Sequence, residues 1–192
     1  MRRVLLFILP ILIIVSIVFT IFGVIQIRFE EKKLMDDLQR KAKAVAESIE
    51  LSARHILLNN DLKSASRLVE TFQKRERMQG GVIYDKEGEI LAITERISEW
   101  SQKDKSYLKE ILSNKAPRGA LEKFREYSVY SYILPVMDDE NNLLGAVEVI
   151  YETSYVFTTL AESWRRISIS LIILLVLIVL IMLLIQRQIF TI

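Results

Sequence analysis

The sequence predicts an α+β protein in which two transmembrane helices flank a helical stalk and a small five-stranded antiparallel sheet. The ends of the 192-residue chain are almost uncharged, because all 24 acidic and 23 of the 26 basic residues lie between positions 28 and 166. A helical repeat of apolar residues follows the first uncharged run, and period-two segments with polar turns follow that repeat.

The composition excludes several functional classes. Hydrophobic residues make up 51% of the chain and the mean hydropathy is +0.26, which is too apolar for a typical soluble domain. The net charge of +2 leaves no basic surplus to neutralise phosphates, so no nucleic-acid partner is expected. The absence of cysteine excludes disulfides, thiolate metal sites and cysteine nucleophiles.

Residues 1–27 are predicted to form a short N-terminal segment and the first transmembrane helix. The run 4–25 has 22 residues without a charge. Such a helix is ~33 Å long, enough for a hydrocarbon core of roughly 30 Å. A cleaved signal peptide is the alternative, but its apolar core is usually only ~7–15 residues long, and no small-x-small cleavage site follows. An uncleaved anchor is therefore favoured.

A stripe of small residues lies on one face of this helix. Ser16, Thr20 and Gly23 stand at spacings of four and three. Such stripes let the backbones of membrane helices approach closely, so we expect the stripe to contact a second copy of the chain. The alternative is that it packs against the second span of the same chain.

Residues 28–58 are predicted to form a helical stalk. Its apolar residues recur at spacings of three, four and seven, which is typical of a coiled-coil seam. The seam predicts that the stalk pairs in a homodimer, and the alternative is a surface helix packed on its own domain. The seam consists of Met35, Leu38, Ala42, Val45, Ile49 and Ile56.

Residues 59–152 are predicted to form the folded domain. Helices are expected at 62–77 and 106–113, and strands at 81–84, 89–93, 120–125, 127–137 and 143–151. The first two strands surround the turn 85–88, in which Gly88 takes the left-handed position. Short connections imply one antiparallel sheet with helices packed on one face.

A connecting helix at 153–166 and a second transmembrane helix at 167–186 complete the prediction. The run 167–185 has 19 uncharged residues, about 28 Å of helix, and Trp164 before it suits the membrane interface. Two spans place both termini on the same side. Charge does not decide which side, because the 139-residue loop is far longer than the ~60 residues over which the positive-inside rule applies.

Three segments carry a resemblance to a known family: 82–91 (VIYDKEGEIL), 132–136 (YILPV) and 144–149 (LGAVEV). In this element order the chain resembles the single extracytoplasmic Cache (PAS-like) sensor domain of bacterial two-span receptors. The resemblance implies that residues 28–166 lie outside the cell membrane and both termini in the cytoplasm. It also implies a small-molecule ligand, such as an amino acid or an organic acid.

Such domains belong to sensor histidine kinases of two-component systems, to chemoreceptors and to cyclic-dinucleotide enzymes. Residues 187–192 resemble the opening of a HAMP linker helix, which would connect the second span to an output module. We therefore expect either a fragment of a longer receptor or a separate cytoplasmic signalling partner.

No enzyme, cofactor or metal is predicted. His55 is the only histidine and stands on the stalk, where a surface residue is expected, and Gly80-Gly81 lacks the residues of a phosphate loop. The acidic run 138–140 has oxygen ligands for a divalent cation, but hairpin turns are normally polar.

The resemblance places three tyrosines on strands of the sheet that faces the ligand pocket. From residue chemistry, either of two arginines would meet a carboxylate beside them, and one aspartate would meet an amine. The alternative is that the tyrosines are half-buried sheet residues and the charges are solvated. The candidate residues are Tyr84, Asp85, Arg118, Arg125, Tyr130 and Tyr132.

The sequence thus predicts a membrane-anchored sensor that relays ligand binding to the cytoplasm. The alternative is a structural or assembly protein whose stalk and outer domain bind another protein. A ligand-sized pocket would favour the sensor, and a filled core with a large exposed apolar patch would favour the assembly protein.

Overall fold

The computed structural model describes residues 2–72, 74–102, 106–125 and 127–189. The chain divides into two compact units. The helical unit consists of Met1–Leu34 and Val156–Ile192, and the sheet unit consists of Met35–Tyr155. Helix α1 (Arg2–Asn59) and helix α4 (Ser154–Ile189) each contribute residues to both units. The predicted linker start at 187–192 lies partly outside the described residues, which end at position 189.

The helical unit contains two helices that are long and apolar enough to cross a membrane. Among the described residues, these candidate spans lie within Ile13–Asn59 and Ser154–Ile181. Their large apolar side chains are exposed, for example Phe22 at 63% and Ile173 at 62%. Water disfavours such exposure and a bilayer does not, so both helices fit the two predicted spans.

The small-residue stripe contacts the chain's own second helix. Gly23 is buried, and a Cβ atom added to it would lie 3.0 Å from the Cγ2 atom of Ile167. The Thr20 hydroxyl donates a hydrogen bond of 2.7 Å to the Ser16 carbonyl. At Gly23 the structure therefore agrees with the alternative interpretation, in which the stripe packs within one chain.

The sheet unit contains one five-stranded antiparallel sheet with the order β2-β1-β5-β4-β3. The fold class predicted from the sequence is confirmed. The elements are α2 (Leu62–Phe72), β1 (Met78–Asp85), β2 (Ile90–Ile93), a 3-10 segment (Glu95–Gln102), α3 (Ser106–Asn114), β3 (Arg118–Phe124), β4 (Tyr127–Met137) and β5 (Leu143–Glu152).

Helix α2 begins at a well-formed cap and ends earlier than predicted. The Asp61 carboxylate accepts hydrogen bonds from the backbone N–H (3.1 Å) and the hydroxyl (2.6 Å) of Ser64, which lowers the pKa of Asp61. The expected helix 62–77 ends earlier, at Phe72. Arg77, with a left-handed φ of 61°, directly precedes strand β1, which begins at Met78.

The first hairpin turn forms where the sequence predicts it. The carboxylate of Asp85 accepts hydrogen bonds from the backbone N–H groups of Glu87 (3.0 Å) and Glu89 (2.7 Å). Gly88 has a φ of 85°, a conformation that side chains rarely adopt. These bonds fix the turn between β1 and β2.

Helices cover both faces of the sheet, whereas the sequence predicts them on one face. Alternate residues of β1 belong to different cores: Ile83 packs with α1 and α2, while Val82 packs with the 3-10 segment and α3. The central strands β1, β4 and β5 are buried along most of their length, so each face needs a cover. Ile97 and Trp100 supply part of the second cover.

The stalk seam packs on the chain's own sheet. Leu38 (1% exposed) and Ile49 (5% exposed) are buried in the cluster that contains Tyr132, and Met35 and Val45 are half-buried against it. At these positions the structure agrees with the alternative interpretation, in which the stalk packs on its own domain. An apolar repeat specifies a stripe to be covered, and here the sheet covers it. A homodimer stays a prediction that needs another contact surface.

Replacing Phe72 with alanine tests this core. Phe72 is fully buried between α2 and the sheet, so the F72A variant should lose about 3–5 kcal/mol of unfolding free energy through lost packing and the cavity left behind. The matched control F157A removes a phenylalanine that is 52% exposed, and should change stability by less than about 0.5 kcal/mol. Urea denaturation of the detergent-solubilised chain, followed by tryptophan fluorescence, measures both. Equal losses would contradict the core assignment.

Candidate functional site

The centre of the sheet holds a buried carboxylate. Glu148 on β5 is 0% exposed. Its Oε2 atom accepts hydrogen bonds from the Tyr84 hydroxyl (2.6 Å) and from the Trp100 indole Nε1 (3.0 Å). Its Oε1 atom accepts a short hydrogen bond from the Ser131 hydroxyl. We call these four residues the Glu148 cluster.

The sheet register brings these side chains together. Strand β5 lies between β1 and β4, and Glu148 is paired with Val82 on one side and with Ile133 on the other. Tyr84 and Ser131 each lie two residues from those partners, so strict alternation places them on the same face as Glu148. The 3-10 segment adds Trp100 from above that face.

The surroundings of the cluster are apolar. The Trp100 and Phe124 rings meet edge to face, with centroids 5.4 Å apart, and Ile97 is fully buried beside them. Burial raises the pKa of Tyr84, and the negative charge of Glu148 raises it further, so the phenol stays protonated and donates.

A buried carboxylate is costly unless donors compensate it. The effective penalty for burying one charge is several kcal/mol, and three hydrogen bonds to Glu148 offset part of it. Such a group can recognise a cationic or hydrogen-donating ligand group, because its charge acts in a low-dielectric setting.

The structure does not bring the six predicted ligand-binding residues together. Tyr130 and Tyr132 share a face, as their alternation predicts, but that face packs against α1 and α2, and burial raises the pKa of both. Tyr84 lies on the opposite face, in the Glu148 cluster.

The three predicted charges lie at the surface. Arg118 forms an ion pair of 3.1 Å with Glu110, and Arg125 forms one of 2.8 Å with Glu99, which lowers the pKa of that glutamate. Asp85 serves the turn between β1 and β2. Only Tyr84 of the six therefore contacts the buried carboxylate.

Neither the acidic turn at 138–140 nor His55 belongs to the Glu148 cluster. The Asp138 carboxylate accepts hydrogen bonds from the backbone N–H groups of Glu140 (2.9 Å) and Asn142 (2.7 Å), and hydrogen bonding to Asn142 is the largest cause of its lowered pKa. His55 is exposed on α1. Within the described part of the chain, no three His, Cys, Asp or Glu residues are placed to hold a metal ion.

Glu148 is the residue that sequence reasoning missed. It interrupts an apolar strand between Val147 and Val149, and the strand is buried along most of its length. An acidic residue at a core position is the signal that could have found it, because carboxylates are almost never fully buried without partners.

No family description matches the sequence, and no curated protein sequence matches it. Solved structures do match. The sensory domain of the Campylobacter jejuni chemoreceptor Tlp3 (CcmL), solved with isoleucine bound, is 10% identical, with a TM-score of 0.50 over 70% of this chain and 60% of that chain. The sensor domain of the Vibrio cholerae histidine kinase DctB is 15% identical, with a TM-score of 0.50 over 74% of this chain and 57% of that chain.

The E. coli DcuS sensor domain is 21% identical, with a TM-score of 0.49 over 66% of this chain and 96% of that chain. The matches to Tlp3 and DctB show that the chain has the fold of bacterial receptor sensor domains. It spans about 60% of those two structures.

Replacing Tyr84 with phenylalanine tests the Glu148 cluster. The Y84F variant deletes one hydrogen bond to a buried charge, so it should lose about 1.5–3 kcal/mol of unfolding free energy. The matched control Y127F alters a half-buried tyrosine of the same core that the carboxylate does not contact, and should lose less than about 0.5 kcal/mol. Urea denaturation measures both, and a neutral Y84F would contradict the cluster's role.

Proposed function

We propose that the chain is the ligand-sensing input module of a membrane-anchored signalling receptor with a Cache-like outer domain. The observation that carries the proposal is the Glu148 cluster, a polar centre enclosed in one face of a sensor-type sheet. The two apolar helices support membrane anchoring. The sheet unit would then lie outside the cell membrane and both termini in the cytoplasm.

The cluster favours a small ligand with an amino group. Glu148 supplies the negative charge, and the hydroxyls of Tyr84 and Ser131 can exchange a hydrogen bond to the carboxylate for one to the ligand. Trp100 covers the carboxylate, so ligand entry requires the 3-10 segment to move. An amino acid meets these requirements, and an organic acid does not use Glu148.

Relay to the cytoplasm follows as a population shift. A ligand that prefers one arrangement of the 3-10 segment changes the packing of the sheet on which α1 lies. Helices α1 and α4 each carry residues of both units, so a change in their packing is passed along the chain. A homodimer and a cytoplasmic partner complete this proposal.

A ligand screen tests the proposal. The full chain in phosphatidylcholine nanodiscs is heated with each proteinogenic amino acid, with simple amines and with short organic acids. A true ligand at 100 times its dissociation constant should raise the unfolding free energy by about 2.7 kcal/mol. We expect the hits to carry an amino group.

Variants of two glutamates decide where a hit binds. E148Q removes the charge in the cluster and should abolish stabilisation by the hit, whereas E99Q alters an exposed glutamate of the same segment and should retain it. If a compound still stabilises the E148Q variant, its binding site lies elsewhere. If no compound stabilises the chain, the alternative hypothesis of a structural or assembly protein that binds another protein is favoured.

Membrane topology is tested with introduced cysteines. The chain has no native cysteine, so S113C, at an exposed position of α3, and R3C, near the N-terminus, each provide one thiol. An impermeant maleimide added to intact cells should label S113C and spare R3C until the cells are opened. Labelling of R3C with S113C protected would contradict the proposed orientation.

A further inference from the structure

A groove of about 440 Å³ lies in the sheet unit, on the face of the sheet that α1 covers and apart from the Glu148 cluster. Helix α1, the turn between α2 and β1, the end of β5 and the first turn of α4 line it. We call it the basic groove, because Lys41, Arg75 and Arg77 line it together with Glu76 as the only acidic lining residue among those described.

The three cationic side chains of the groove differ in their contacts. The Nζ atom of Lys41 lies 2.7 Å from Oδ2 of Asp37, which raises the pKa of Lys41. The guanidinium of Arg77 stacks 4.3 Å from the centroid of the Tyr155 ring. Among the described residues, Arg75 has no ion-pair partner. The Glu76 side chain, which is 87% exposed, neutralises little of this charge.

Tyr151 lines the groove together with Lys41 and Arg75. Burial raises the pKa of Tyr151, which is 5% exposed, whereas the charges of Arg75 and Lys41 act in the opposite direction. The groove thus brings together the side chains of Arg75, Lys41 and Tyr151 from three segments of the chain.

We propose that the basic groove binds a compact oxyanion, with the phosphate group as the chemistry recognised. The Arg75 guanidinium suits two oxygens of one phosphate, Lys41 supplies a point charge, and the Tyr151 hydroxyl supplies a further donor. The bound anion would connect α1 to the turn before β1, next to Tyr155 at the start of α4. It would therefore modulate the packing of α1 separately from any ligand of the Glu148 cluster.

Titration with inorganic phosphate tests this site. The full chain in phosphatidylcholine nanodiscs is heated with increasing phosphate at constant ionic strength, balanced with chloride. We expect saturable stabilisation. R75Q should weaken the apparent affinity about tenfold, the effect of losing one charge-assisted contact. K41Q should weaken it as well, and provides a second variant if R75Q does not fold.

The control R96Q removes the same charge from an exposed arginine in the 3-10 segment, which does not line the groove, and should bind phosphate as the unmodified chain does. A second arm uses nanodiscs with added phosphatidylglycerol and no phosphate. If these nanodiscs stabilise the chain and the effect depends on Arg75, the oxyanion is a lipid headgroup. If only inorganic phosphate stabilises it, the oxyanion is a soluble anion. Absence of both, or an equal loss in R96Q, overturns the proposal.

Discussion

Burial of the Glu148 carboxylate is the constraint on which one face of the sheet depends, the face that the 3-10 segment and α3 cover. The charge can stay in the core only if donors from β1, β4 and the 3-10 segment meet it together. This requirement fixes the rotamers of Tyr84 and Ser131 and pins the 3-10 segment over the sheet through Trp100. A purely apolar residue at 148 would impose no such geometry, since hydrophobic contacts are not directional.

The opposite face is held largely by packing, to which the Thr94 hydroxyl adds a hydrogen bond of 3.0 Å donated to the Val69 carbonyl of α2. Small alanines on α1, among them Ala42, Ala46 and Ala53, are fully buried and let the helix approach the tyrosine-rich side of β4 and β5. This packed surface consists of apolar side chains and tyrosines, and the charged side chains of the basic groove, among them Lys41 and Arg75, lie on the same side of the sheet. The two faces therefore differ: one packs a helix against the sheet and carries the basic groove, and the other encloses the carboxylate of Glu148.

Local signals in the sequence predicted much of the fold. The turn at Asp85 and Gly88, the strands β4 and β5 and the helix α3 follow from side-chain chemistry within a few residues. The sequence did not predict which surface covers the stalk seam, because a stripe of apolar residues is the same whether a sheet or a second helix covers it. The 3-10 segment was not predicted, because among its described side chains only Ile97 and Trp100 are buried, and two apolar residues do not establish a helical or a strand period.

The candidate site was harder to predict than the fold for a related reason. Tyr84 and Tyr130 stand on different strands, and which of them shares a face with a charge depends on the register between strands. A shift of one residue moves a side chain to the other face, so adjacent positions such as Tyr130 and Ser131 have opposite fates. Only the pairing of Glu148 with Val82 and Ile133 decides that Ser131 meets the carboxylate while its tyrosine neighbours pack on α1. The register between strands, which no single strand sequence specifies, therefore decides which side chains meet at the buried carboxylate.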